Sequence, residues 1–142
     1  MTYAVWSLLV LAVGTLLPLA LRRWQRLALA AGLGALLLGG LLSAVGALAQ
    51  LRGSPQLSTT LSWPLPLGTA RLALDGRSAR FLLMFGVLSL AVAPYSWSYF
   101  AADADRGRSH VPAALLCLMT GTMVLLVCAA DAVLFLLAWE LM

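Results

Sequence analysis

Apolar residues fill long uninterrupted blocks along this chain, and short segments between the blocks hold nearly all of the charges. Four blocks approach the length of about 20 residues that a helix needs to cross the hydrocarbon core of a bilayer. With a shorter fifth block, they predict helices at about 3–21, 27–48, 81–100, 112–130 and 131–142. We therefore expect an all-α transmembrane helix bundle, with about four spans plus the start of a fifth, in a single membrane domain over 1–142.

The segment between the second and third blocks has a different pattern. Residues 57–63 alternate between two sets, with Leu57, Thr59, Leu61 and Trp63 in one and Ser58, Thr60 and Ser62 in the other. Residues 71–74 alternate again, and such alternation is typical of half-buried strands. Pro64, Pro66 and Gly68 lie between them and indicate a turn. The segment 57–74 thus predicts a small β-hairpin, which should rest on another surface because a lone hairpin is marginal in water. An irregular loop is the alternative.

Small residues recur every four positions in the second block. They are Ala31, Ala35, Gly39, Ser43 and Ala47. Helices in lipid associate where small side chains let their backbones approach, so this register predicts a helix-packing seam. The general richness of the chain in Ala and Gly is the competing explanation.

The charges indicate topology rather than a binding patch. All nine cations are Arg, and they cluster in the gaps between apolar blocks without interleaved aromatic residues, so no nucleic-acid partner is expected. Arg22, Arg23 and Arg26 follow the first block, whereas no cation precedes it, which argues against a cleaved signal peptide. The positive-inside rule then places the N-terminus and the hairpin outside the cytoplasm.

Residues that carry chemistry are sparse. Cys117 and Cys128 would lie roughly 16 Å apart on one helix, beyond disulfide reach, and neither has a partner at metal-ligand spacing. The only histidine, His110, falls in a charged loop, where a solvated side chain is expected rather than a ligand. There is no Gly-rich phosphate loop, no CxxC and no nucleophile–base pair. We expect no catalytic site, metal or cofactor in this chain, so whether it belongs to an enzyme is left open.

Glu140 is the candidate functional residue. If a helix begins at Asp131, Glu140 lies roughly 14 Å along it, close to the midplane of a bilayer whose core is about 30 Å thick. A carboxylate at that depth is costly unless it is protonated, paired or hydrated, which makes it a functional-site hypothesis. The alternative is one tilted helix from Pro112 onward, with Glu140 at an interface. Span length favours a reversal near 129–131.

Three segments resemble a known family in their order and spacing. They are Leu74-Asp-Gly-Arg-Ser78, the Tyr95-Ser-x-x-Tyr99 helix end, and Asp131-Ala-Val-Leu-Phe-Leu-Leu-Ala-Trp-Glu-Leu-Met142. They are similar to the N-terminal third of the proton-pumping antiporter-like subunits of respiratory complex I, cation/proton antiporters and membrane-bound hydrogenases. The Leu65-Pro-Leu-Gly68 lead-in looks most like hydrogenase-4 component B and formate hydrogenlyase subunit 3.

The resemblance implies a larger all-helical subunit of inverted repeats in a bacterial-type inner membrane, of which this chain is an N-terminal portion. It implies that Glu140 is a proton-relay residue paired with a lysine on a later helix. The chain's partners would be the lipid bilayer and other membrane subunits of a respiratory or hydrogenase complex, and flavin, iron–sulfur clusters and quinone would belong to partner subunits. Two departures stand out: the chain contains no Lys, and Arg77 lies where the family usually has an apolar residue.

Two other functions fit parts of the pattern. A small proton-coupled multidrug exporter also has four helices and one membrane-embedded glutamate, although the long hairpin does not fit it. A short accessory membrane subunit would pack through the small-residue face without transporting anything. Proton-coupled efflux by the chain alone would favour the exporter.

Overall fold

The computed structural model describes residues 2–53, 57–61, 70–105 and 107–142. The described chain is mostly helical, with one small antiparallel sheet of two strands. In chain order the elements are α1 (Thr2–Ala20), α2 (Gln25–Leu51), β1 (Leu57–Leu61), β2 (Ala70–Leu74), α3 (Gly76–Asp105), α4 (His110–Cys128) and α5 (Ala132–Leu141).

Four of the described helices are long and apolar enough to cross a membrane, which indicates a multi-pass membrane protein. At 1.5 Å per residue, the 19 residues of α1 and of α4 reach roughly 28 Å, close to the thickness of a hydrocarbon core. The second and third helices are longer at both ends than the apolar blocks that predict them. Flanking polar residues extend them, because a helix continues into the interfacial region as long as its backbone groups stay paired.

The bundle is arranged around α2, which contacts α1, α3 and α4. Half of its most apolar stretch is buried inside the protein, a larger share than in any other candidate span among the described residues. A helix enclosed on several sides needs small residues on more than one face, and α2 meets that need with buried glycines and alanines all around. The second apolar block of the sequence therefore forms the centre of the bundle.

The start of α3 is fixed by Asp75. Its carboxylate accepts a hydrogen bond from the backbone N–H of Ser78, with 2.7 Å between the nitrogen and Oδ1. This is N-cap geometry, and it satisfies one of the four amide groups that a helix start leaves open. The hydrogen bond from the Ser78 backbone, followed by that from the Ser78 side chain, holds the pKa of Asp75 below its usual value.

The two strands pair in the register Leu57 with Leu74 and Leu61 with Ala70. Along β2 the residues alternate, with Leu72 and Leu74 buried and Arg71 exposed, as the sequence pattern predicts. The proposed turn at Pro64, Pro66 and Gly68 lies outside the described residues. The predicted two-strand sheet is thus present, and its inward side chains join the core of the helix bundle.

The hairpin rests on the connection between α4 and α5. Leu72 forms an antiparallel bridge with Ala129, and the N–H of Ala130 donates to the carbonyl of Arg71 at 2.9 Å. A two-stranded sheet gains little stability by itself, so this third stretch of extended backbone and the buried leucines of β2 support it. The same contacts hold the connection in an extended conformation, with Ala129 at φ −68° and ψ 119°.

Candidate functional site

The helix that carries Glu140 begins anew after a break. α4 ends at Cys128, and α5 begins at Ala132 with Asp131 as its N-cap in an extended conformation (φ −123°, ψ 138°). One carboxylate oxygen of Asp131 accepts from the backbone N–H of Val133 at 3.1 Å. An Asp at this position stabilises a helix start by filling an open amide and by complementing the helix dipole. The single continuous helix considered as an alternative is not what the chain forms.

α5 packs against α4 and also contacts β2. Its packing face is formed by Leu134 and Ala138, four residues apart and therefore on one side of the helix; Ala138 is 0% exposed. Three residues separate the end of α4 from the start of α5, which carries Glu140 near its own end. Glu140 is about 14 Å along the axis from Asp131.

The side chain of Glu140 faces away from the bundle. At 100° per residue it lies about 200° around the helix from Ala138, on the side opposite the packing face. It is exposed, and its neighbours at the preceding turn, Leu136 and Leu137, are exposed too. Within the described part of the chain no hydrogen bond or ion pair involves its carboxylate. The arrangement therefore presents an acidic group, surrounded by apolar side chains, to whatever lies beside α5.

The predicted seam on α2 is placed mainly against α1. Ala35 contacts Gly14, where an added Cβ would clash, and a Cβ on Gly39 would come within 2.7 Å of Leu11. Ser43 lies 2.7 Å from the hydroxyl of Ser7. The remaining two positions, Ala31 and Ala47, are half-buried and fully buried respectively.

Ser7 links this seam by hydrogen bonds. Its hydroxyl donates to the carbonyl oxygen of Gly39 at 2.9 Å and shares a second hydrogen bond with Ser43. All three residues are buried, so the pairing leaves no hydroxyl without a partner inside the bundle. These contacts are structural, and nothing in them binds a ligand.

A second small-residue register on α2 was missed by the sequence analysis. Gly32, Gly40 and Ala44 lie one position after the predicted seam residues and face α4 and α3. A Cβ on Gly40 would lie 2.7 Å from that of Ser89, and a Cβ on Gly86 of α3 would lie 2.8 Å from the backbone nitrogen of Ala44. In the sequence Leu36 interrupts this register, and only Gly40 and Ala44 are four residues apart.

Gly32 contacts α4. A Cβ there would lie 2.8 Å from the Cβ of Ala113, and the thiol of Cys117 donates to the Gly32 carbonyl at 3.1 Å. Cys117 and Cys128 are both buried and free. Over the described residues, no group of three or more His, Cys, Asp or Glu side chains could hold a metal ion.

A polar contact between two connections was also missed. The side-chain oxygen of Gln25 accepts from the backbone N–H of His110 at 3.2 Å and from its ring nitrogen Nδ1 at 3.0 Å. Ser109 is buried and donates to the Gln25 carbonyl at 3.0 Å. The interpretation of His110 as a solvated loop residue was wrong: it is half-buried at the first position of α4. No local pattern indicates a contact over this distance in sequence.

Comparison of the chain with protein-family models and with curated proteins finds no match. The family resemblance stated above therefore stays a proposal.

Proposed function

We propose that this chain is the N-terminal part of a proton-translocating membrane subunit, of the kind found in complex I-like NADH:quinone oxidoreductases and membrane-bound hydrogenases. Glu140 is its proton-relay residue. The single observation that supports this most is the break between α4 and α5, because a new helix that packs against α4 carries the carboxylate within an otherwise apolar stretch.

The outward orientation of Glu140 supports the relay role. A carboxylate at lipid depth is expensive unless it is neutral or meets a cation, so evolution rarely retains one without a use. Leu136 and Leu137 place exposed apolar side chains beside Glu140, one turn earlier on the helix. A basic side chain beside it would favour the charged form, and movement of that base would release or take up a proton.

The base is proposed to lie outside this chain's described helices, on another part of the subunit. The nine cations of the chain are all Arg and by sequence lie in or near the connections between spans. Electron carriers would belong to partner subunits, and this chain would contribute the membrane path only.

The test is proton pumping by membranes that contain the complete complex with Glu140→Gln, compared with Glu140→Asp. Proton uptake into inverted vesicles, measured with a fluorescent pH-gradient dye, is expected to slow by about 10²-fold in Glu140→Gln. Glu140→Asp keeps a titratable group and should retain most of the rate. Unchanged pumping by an assembled Glu140→Gln complex would remove Glu140 from the mechanism.

A proton-coupled exporter is the second candidate, favoured by the exposure of Glu140 on the outer side of α5. Two copies of the chain could place two such carboxylates around a cationic substrate. Purified chain in liposomes with an imposed pH gradient distinguishes the two functions. Efflux of a cationic dye that depends on Glu140 would support the exporter and contradict the proton-relay subunit.

A further inference from the structure

One end of the bundle concentrates guanidinium groups. It is formed by the connection between α1 and α2 and by the connection between α3 and α4. By sequence these connections and the helix turns next to them hold five arginines (Arg22, Arg23, Arg26, Arg106 and Arg108) against two aspartates (Asp103 and Asp105), a net charge of +3. Arg22, Arg23 and Arg108 are exposed, and no described residue forms an ion pair with any of them.

Gln25 joins the two connections into one surface. Its side-chain nitrogen donates to the carbonyl of Arg22, while its side-chain oxygen accepts from His110. The backbone of Gln25 also accepts from Ser109, next to Arg108. Arg22 and Arg108 therefore lie on the same side of the bundle, because Gln25 contacts both connections.

A shallow polar pocket of about 380 Å³ lies in this surface. It is lined by Ala20, Leu21, Arg22, Arg23 and Trp24. Trp24 is 65% exposed, as is usual for a tryptophan at the boundary between hydrocarbon and water. The pocket thus combines two arginines with apolar side chains, and Leu16 and Leu17 are exposed one turn earlier on α1.

We propose that this pocket binds the headgroup phosphate of an anionic phospholipid. Arginine forms paired hydrogen bonds with phosphate oxygens, and the adjacent guanidinium groups of Arg22 and Arg23, which form no ion pair with any described residue, match one phosphodiester. The acyl chains would lie along the exposed leucines at the end of α1, and the ring of Trp24 would lie at the level of the glycerol backbone. A soluble phosphate compound would not use these apolar side chains, which favours a lipid as the occupant.

The test is lipid binding to the purified chain, measured by native mass spectrometry in detergent with added phosphatidylglycerol or phosphatidylcholine. Wild type should bind phosphatidylglycerol more tightly. Each arginine near a membrane surface contributes about fivefold to the binding of anionic lipid, so the double variant Arg22→Gln/Arg23→Gln should weaken it about 25-fold.

The matched control is Arg52→Gln/Arg80→Gln, which removes two exposed arginines at the opposite end of the bundle. Arg52 lies roughly 40 Å along α2 from Gln25, so this pair should leave the first lipid site within about twofold of wild type. All four positions are exposed, and circular dichroism spectra should show that both variants fold.

Three outcomes would overturn the proposal. They are equal weakening by the two double variants, equal affinity of wild type for the two lipids, and displacement of phosphatidylglycerol by a molar excess of inorganic phosphate. The last would identify a free phosphate site instead of a lipid site. Weakening of phosphatidylglycerol binding at higher salt in wild type but not in Arg22→Gln/Arg23→Gln would support the proposal.

Discussion

A close approach between α2 and α3 can be tested with a single methyl group. Gly86 of α3 lies so near α2 that an added Cβ would be 2.8 Å from both the backbone nitrogen of Ala44 and the carbonyl oxygen of Gly40. Ordinary van der Waals contacts of a Cβ begin at 3.4 Å, so the overlap is 0.6 Å with each atom. Both obstacles belong to the backbone of a central helix and cannot rotate out of the way.

The substitution Gly86→Ala must therefore push α3 away from α2. Overpacking of this kind typically costs about 1–3 kcal/mol. An alanine also favours the helix over glycine by up to about 1 kcal/mol, which would hide part of the cost. Gly34→Ala is the matched control, because a Cβ at Gly34 meets nothing within 4 Å. The difference between the two variants isolates the steric term.

The assay is equilibrium unfolding of both variants in mixed micelles, with increasing sodium dodecyl sulfate and tryptophan fluorescence as the signal. We expect Gly86→Ala to unfold at a lower detergent fraction than Gly34→Ala, by a free energy of about 1–3 kcal/mol. Identical unfolding midpoints would show that the backbones of α2 and α3 have room between them. The account of α2 as a tightly enclosed central helix would then be wrong.

Two further predictions concern polar groups. Ser7→Ala removes the hydroxyl that donates to Gly39 across the α1–α2 seam and should lower the free energy of unfolding by about 0.6–1.7 kcal/mol in the same assay. The control Ser98→Ala, at an exposed position on α3, should change it by less than about 0.5 kcal/mol. Equal effects of the two substitutions would contradict a hydrogen-bonded seam. For Asp75, the folded-state pKa is lower than the unfolded one, so its stabilising contribution is complete above the unfolded value of about 3.9 and is lost as pH falls through the folded value. Asp75→Asn keeps a capping oxygen but cannot titrate, so the loss of stability of wild type below about pH 4 should shrink in this variant; an unchanged acid profile would show that Asp75 does not contribute to it.

Much of the fold could be predicted from local pattern, since the bilayer restricts spanning segments to helices of known length. The break before α5 follows from that restriction, because a helix from Pro112 through Glu140 would exceed the span even without a glycine or proline to end it. The alternation of side chains around Leu72 in β2 could likewise be predicted from the sequence. Each of these signals lies within a few adjacent residues.

The contacts between elements were less accessible. The predicted seam on α2 repeats small residues every four positions, whereas Leu36 interrupts the register through Gly32 and Gly40. Composition also does not say how many neighbours a helix has. The contact of Gln25 with Ser109 and His110 joins residues that are remote in sequence. The described residues form no ion pair with Glu140, so its pairing with a base stays a prediction.

The junction of Ala129 and Ala130 carries one more implication. Neither residue is a helix breaker, and an alanine pair elsewhere would continue the helix. Here the edge of β2 offers a carbonyl and a strand partner in place of the next helical turn. The hairpin, which is distant in sequence, therefore sets the direction in which α5 leaves this junction with Glu140. Shortening the hairpin by one residue would reverse which side chains of β2 face Ala129 and Ala130. The position of Glu140 on α5 would change as a result.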